Sequence, residues 1–376
     1  MEANFDSIPG GIVALHFFSR RTLLGMALST GVVATRSRSA AQTQSNNKAA
    51  VTEPPVAFPR RSTVSLIHGE SRRKNVTESL VAIDEQILPV LKTKKYVVIK
   101  PNLVSTVNPL AATNADALLG IMDYLAPRFK GPVIIAESSA GNTPEGFDNF
   151  KYQSVVNEFR TRQVSLLDLN QEGKYVLCPV VDADLHPTPV RLAARLVDPD
   201  AYVICSAMLK AHNVVVATLS VKNMALGAPL RSAPKETPKW NDKRKYHGGV
   251  RQTHFDIMLT AQRLAPHWGA TVIDGYEGME GNGPASGTPV ASRVALASTD
   301  YIAADRVGIE CMGVKPEWVG YLRYCSEAGL GQYDLSKIDV RGEKIAAVRK
   351  EYRLHRDIER ELRWMGPMEE IPEKLG

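Results

Sequence analysis

From Ser62 onward, short unbroken apolar runs alternate with segments of helical periodicity, and this alternation constrains the fold more than any other feature of the chain. The runs fall at 63–68, 96–99, 133–136, 164–167, 201–205, 271–273 and 294–297. A strand without an inward–outward alternation is one buried on both faces, which is how parallel strands sandwiched between helices read. Between the runs, 76–91 places Leu80, Ile83, Ile87 and Leu91 on one side of a helix. Helical patterns recur at 117–125, 255–264 and 301–312, the first opened by Thr113-Asn114-Ala115-Asp116. The expectation is an α/β fold, a mostly parallel sheet with helices on both faces, without an internal repeat in the range of about 20–50 residues. This α/β domain is expected over 62–342, with a charged helical tail at 343–376.

Composition narrows the function. Lys+Arg 46 against Asp+Glu 40 gives a net charge of +6, dispersed along the chain. That suits an anionic small molecule and is too weak to imply nucleic acid. The 4 cysteines (Cys178, Cys205, Cys311 and Cys325) contain no CxxC pair, so no zinc ribbon or iron–sulfur cluster is expected. Cys205 sits in an apolar run and reads as a small core residue. Cys311 and Cys325 could pair in an oxidising compartment, and the sequence leaves that open.

The amino terminus reads as an address. Arg20-Arg21 precedes a moderately apolar stretch diluted by Gly25, Ser29, Thr30 and Gly31, then a small-residue site at Ser39-Ala40-Ala41. This order is a secretory leader, and the paired arginines make it a twin-arginine signal over 1–41, followed by a linker at 42–61. The uncharged run 22–35 is shorter than the roughly 20 residues a membrane helix needs, so no stable span is expected. The acidic Glu2 and Asp6 depart from the usual basic start. The expectation is export through the twin-arginine translocation machinery to the periplasm or beyond.

Ligands of open α/β sheets bind beyond the carboxyl ends of the strands. Polar residues cluster there repeatedly: Lys100 and Asn102, Glu137 and Ser138, Lys210 and His212, and Asp274. Together with Ser220-Val221-Lys222-Asn223-Met224 and Glu280-Gly281-Asn282-Gly283-Pro284, these segments resemble the prokaryotic family catalogued as domain of unknown function 362. Ala297-Ser298-Thr299-Asp300 and Met312-Gly313-Val314 fit it too, and the resemblance spans about 62–342. It implies that Lys100, Asn102, Glu137, Ser138, Lys222, Asn223 and Asn282 contact substrate. Some members carry a ferredoxin-like cysteine cluster, which this chain lacks.

Residue chemistry suggests roles within that set. Lys210 and Lys222 beside His212 suit an anion held near a base, and Asp274 and Glu280 offer carboxylates for proton transfer. His212, His247 and His254 are nitrogen ligands for a divalent metal, although their spacing matches no sharp zinc motif. The basic stretch 228–251 carries Arg231, Lys235, Lys239, Lys243, Arg244, Lys245 and Arg251, and reads either as a mobile lid or as a solvated loop. Asp300 suits a helix cap, while Asp305 faces the site or complements the helix dipole. The expected function is an exported enzyme acting on an anionic small molecule, with or without a metal. The alternatives are a non-catalytic anion-binding protein and an assembly partner that uses the basic loop.

Overall fold

The computed structural model describes residues 60–366, so the leader 1–41, most of the linker and the last ten residues lie outside the described residues. Twelve strands are described: β1 Ser62–His68, β2 Tyr96–Lys100, β3 Val133–Glu137, β4 Val164–Asp168, β5 Tyr175–Val181, β6 Pro187–Ala193, β7 Ala201–His212, β8 Val216–Thr218, β9 Trp268–Glu280, β10 Thr288–Val290, β11 Val294–Ser298 and β12 Ile338–Gly342. Ten of them form one sheet of order β12-β1-β11-β9-β7-β2-β3-β4, with β10 on β9 and β8 on β7. The pairs β1–β12, β2–β3, β2–β7, β3–β4 and β7–β9 are parallel. Strand β11 runs antiparallel between β1 and β9. The sheet is therefore mostly parallel, as the unbroken apolar runs require.

Alternate residues of each strand feed two cores. Ile99, Tyr202, Ile204 and Ile135 pack under helices Arg72–Val81, Asp84–Leu91 and Ala115–Leu125. Val98, Val203, Cys205 and Leu209 pack under helices Ser220–Gly227, Val250–Leu264 and Tyr301–Cys311. Helices thus cover both faces. From β2 the chain moves outward through β3 to β4, then returns to place β7 on the other flank of β2. The carboxyl ends of β2 and β7 consequently flank the point where strand order reverses, where an open α/β sheet leaves a crevice.

Several elements differ from their sequence expectation. The helix expected over 76–91 is two helices, Arg72–Val81 and Asp84–Leu91, broken at Ala82–Ile83, yet Leu80, Ile83, Ile87 and Leu91 are all buried as expected. Strands β7 and β9 run far past their apolar runs, because β7 folds back on β8 and β9 pairs with β10. The 3 residues before Thr271 and the 7 after Ile273 are also strand. Within 343–366, helices Ile345–Val348 and Ile358–Leu362 are short, and Tyr352 and Leu362 join the core. All four cysteines are free and buried, so Cys311 and Cys325 are not bridged.

Candidate functional site

Beyond the ends of β2, β3 and β7 lies a cavity of about 830 Å³, walled by Lys100, Asn102, Glu137, Ser138, His212, Lys222 and Asn223 and roofed by Asn241, Lys243, Arg244 and His247. Its floor is a polar network built from three strand ends and one helix. Lys100, 1% exposed, lies 3.0 Å from the Glu137 carboxylate, itself 2% exposed. The Lys100 ammonium also donates to the carbonyls of Pro101 (2.9 Å) and Asn223 (3.0 Å) and to Asn223 Oδ1 (2.8 Å). Asn102 Nδ2 donates to the same Oδ1 at 2.9 Å, and Lys210 Nζ donates to Asn102 Oδ1 at 2.7 Å. Gly227 allows this approach: a Cβ there would stand 2.0 Å from Lys100 Nζ.

Helix Ser220–Gly227 carries Lys222 and Asn223 on its first turn. It has no cap of its own. Instead Asp305, from helix Tyr301–Cys311, accepts the N–H groups of Ser220 (2.8 Å) and Val221 (3.0 Å), supplying from outside what an N-cap side chain supplies from within. Burial raises the Asp305 carboxyl to about 7, against the pull of those donors. Asp300 caps its own helix through Ile302 and Ala303.

The cavity is unevenly charged. Lys222 is 5% exposed, and its side-chain nitrogen has no hydrogen-bond or ion-pair partner among the described residues. Burial, and then the charge of Lys100, lower it to about 7. Lys243, from the roof, donates to Ser138 Oγ (3.3 Å) and to the carbonyls of Leu226 (3.0 Å) and Gly227 (3.1 Å). Burial lowers it to about 7 as well, despite Glu137, with Lys100, Arg231 and Lys222 pushing the same way. Burial and the neighbouring lysines hold His212 well below the ordinary imidazole value. Its Nδ1 accepts the N–H of Val214 (3.0 Å) and of Val215 (3.3 Å), which leaves the proton on Nε2. His212 is therefore a neutral donor: neither nitrogen offers a free lone pair to a metal or to a substrate proton.

The structure separates several residues that the sequence grouped. Lys210 is fully buried beneath the cavity and acts through Asn102; burial, then Lys222 and Lys100, push it well below its ordinary value. Asp274 is not at a strand end but inside β9, paired at 3.1 Å with Arg72 and accepting the Tyr276 N–H at 2.9 Å. Glu280 is held by Arg353, from the side chain at 2.7 Å and the backbone at 2.9 Å. Asn282 is exposed, and neither it, Asp274 nor Glu280 lines the cavity. Gly275, Gly278 and Gly283 of this stretch serve packing, and a Cβ on Gly278 would stand 2.0 Å from the Tyr352 hydroxyl, whereas Gly281 takes a positive φ of 71°.

The three histidines do not form a metal site. His254 is fully buried against Tyr321 and Trp364, with Nδ1 accepting the Tyr321 N–H at 3.0 Å and burial lowering it to about 3. His247 stands at the exposed rim. Among the described residues, three ligand-type atoms come within 4.8 Å of one another at Asp182, Asp184 and His186, on the exposed β5–β6 turn.

Lys243 and Arg231 were legible only as members of a basic loop. Arg231 ties that loop down, donating to the carbonyls of Ser139 (3.1 Å), Ser232 (3.2 Å) and Gly141. Lys235 and Lys239 remain exposed. The stretch 228–251 thus lines the cavity near Lys243 and is solvent-exposed near Lys235.

The fold and site define a class: an α/β sheet domain with a lysine-rich cavity at the reversal of strand order. The chain belongs to the family described as Domain of unknown function (DUF362), whose match covers residues 97–310 and with them every residue named above as lining the cavity. A crystal structure of a Thermotoga maritima protein, determined in a structural genomics programme, is similar at 9% identity and a TM-score of 0.38. The alignment covers 59% of this chain and 55% of that one, so this chain spans about half that protein's length. No curated protein matches the sequence.

Proposed function

We propose that the cavity binds a small anionic molecule and acts on it through lysine-based acid–base chemistry. The observation that carries this reading is Lys222: a buried cationic group on a cavity wall without an anionic partner, beside Lys243 and a His212 that donates from Nε2. A fold that leaves such a nitrogen unpaired bears a desolvation penalty that a bound carboxylate or phosphate offsets. An amine near neutrality also exchanges protons readily at physiological pH. The reading rests on lysines rather than on a histidine-held metal, because two of the three histidines have Nδ1 engaged by backbone N–H groups. Export through the twin-arginine route is part of the proposal and rests on Arg20-Arg21 and the small-residue site at Ser39-Ala40-Ala41.

Calorimetric titration of the mature chain with a panel of mono- and dicarboxylates and phosphate monoesters tests the binding. At least one class is expected to bind, with affinity reduced about tenfold or more in Lys222→Met, as loss of a charge-assisted hydrogen bond implies. Equal affinity in Lys222→Met, or no binding across the panel, would remove the proposal. An Arg20→Lys, Arg21→Lys precursor that is still exported would remove the twin-arginine reading.

A further inference from the structure

The four lysines around the cavity differ in what their nitrogens touch. An ammonium has three N–H bonds to place. Lys100 places its own on the carbonyls of Pro101 and Asn223 and on Asn223 Oδ1, beside the Glu137 carboxylate, Lys243 on Ser138, Leu226 and Gly227, and Lys210 two of its own on Asn102 and Ala111. These three nitrogens are turned toward acceptors within the protein. Lys222 places none.

Its position in the chain reinforces the contrast. Lys222 is the third residue of helix Ser220–Gly227, and so sits on its first turn. A cation there is disfavoured by the loss of water and then by the neighbouring Lys100. Asp305 neutralises that helix end from the far side through Ser220 and Val221, which fixes the turn without giving Lys222 a counter-ion. What remains on the cavity wall is an amine whose lone pair is free. Desolvation beside another cation is how a lysine becomes a nucleophile toward carbonyl carbon.

We propose that Lys222 is the nucleophile of this site and forms an imine with a small aldehyde or ketone that carries a carboxylate or a phosphate. The inference rests on the anion-binding reading above and names its substrate class. The Nζ lone pair attacks the carbonyl carbon, and the C=O π pair moves to oxygen, which takes a proton. Loss of the second amine hydrogen with that oxygen, as water, leaves C=N; no oxidant or reductant is needed. The Nε2–H of His212 is the donor for the acidic group, with the charge of Lys243 beside it, and the chain's exposed lysines lack the adjoining cavity.

The test uses glyoxylate (a carboxylate), glycolaldehyde phosphate (a phosphate) and uncharged glycolaldehyde as probes. Each is incubated with the mature chain at pH 7 with cyanoborohydride, which reduces an imine to a stable secondary amine, and the modified lysine is located by peptide mass mapping. An ordinary exposed lysine is neutral in less than about one molecule in a thousand at this pH, so selectivity for a lysine titrating near 7 is expected to be large. The expected result is one adduct, at Lys222, formed at least about tenfold faster with an anionic probe than with glycolaldehyde, slowed in Lys243→Met and lost in Lys222→Arg. Which anionic probe reacts faster distinguishes carboxylate from phosphate. Adducts spread over exposed lysines, or none at Lys222, would overturn the imine. If calorimetry still records the anions binding in a Lys222-dependent way, anion binding survives that failure; if they do not bind, both readings fall. Mapping on the unaltered chain decides the matter even if a variant does not fold.

Discussion

Two stretches of this chain look alike in sequence and behave oppositely in the fold. Both the segments around Lys100, Glu137 and Lys222 and the segment 274–284 place charged residues near the ends of apolar runs. In the second, each singled-out carboxylate has a counter-ion from elsewhere in the chain: Arg72 for Asp274, Arg353 for Glu280. In the first, Glu137 has Lys100, while Lys222 has nothing. The difference lies in satisfaction rather than in residue type. Charges that a fold has already neutralised hold the fold together, and the charge left unneutralised on the cavity wall is the one on which the anion-binding proposal rests.

The largest effect should come from breaking the one pair that belongs to both descriptions. Lys100→Met leaves the Glu137 carboxylate buried without its partner, and chemical denaturation should register a loss of about 3–5 kcal/mol. A loss below about 1 kcal/mol would mean that the pair is not the keystone of the cavity floor. Asp274→Ala should destabilise somewhat less, since Arg72 is partly exposed and can reach water, and should leave anion affinity unchanged at a temperature where the variant is folded. Loss of binding there would place Asp274 in the site and erase the contrast.

Changing pH separates the regions without a mutation. Lys222 and Lys243 lose their protons near 7 in the folded chain, whereas an unfolded lysine does so near about 10.4. Affinity for an anion of fixed charge, such as sulfate, should therefore fall as pH rises through 7, by up to about tenfold per unit for each lysine that must be charged. Stability of the ligand-free chain moves the other way. Between about pH 7 and 10 the unfolded chain holds protons that the folded chain has lost, so these two lysines contribute stability that grows with pH. Comparing the unaltered chain with Lys222→Met over that window isolates the share of Lys222; identical slopes would show that its basicity is ordinary. The smallest effect should be Glu280→Gln, where a partly exposed pair with Arg353 is lost: below about 1 kcal/mol in stability and none in binding. A larger change in either would require another role for the acidic loop.

The parallel sheet and its helices were legible because burial on both faces leaves an unbroken apolar run, and Ile99, Ile135 and Ile204 all lie in such runs and in the core. The strand-end rule likewise located Lys100, Asn102, Glu137, Ser138 and His212 at one cavity. It fails for Asp274, because the apolar run stops at Ile273 while pairing with β7 and β10 carries β9 on to Glu280. It also placed Lys210 beside His212 as a second ligand group. Successive strand residues point to opposite faces, but two residues apart is the same face, and only the depth of Lys210 under Asn102 separates them. The metal expectation failed for a reason invisible in spacing: the backbone N–H groups of Val214 and Tyr321 occupy the Nδ1 atoms of His212 and His254. Lys243 was hidden in a run of similar lysines, and nothing local marks which of them the 3₁₀ turn Asp242–His247 aims inward.

The central claim is that Lys222 stands unneutralised until an anion arrives. A heteronuclear NMR titration that follows the Lys222 side-chain nitrogen measures this directly, with Lys222→Arg to assign the signal. The expected midpoint is about 7 in the free chain, moving upward when sulfate is added, since a bound anion favours the ammonium. A midpoint near the ordinary value of about 10.4, unmoved by sulfate, would contradict it.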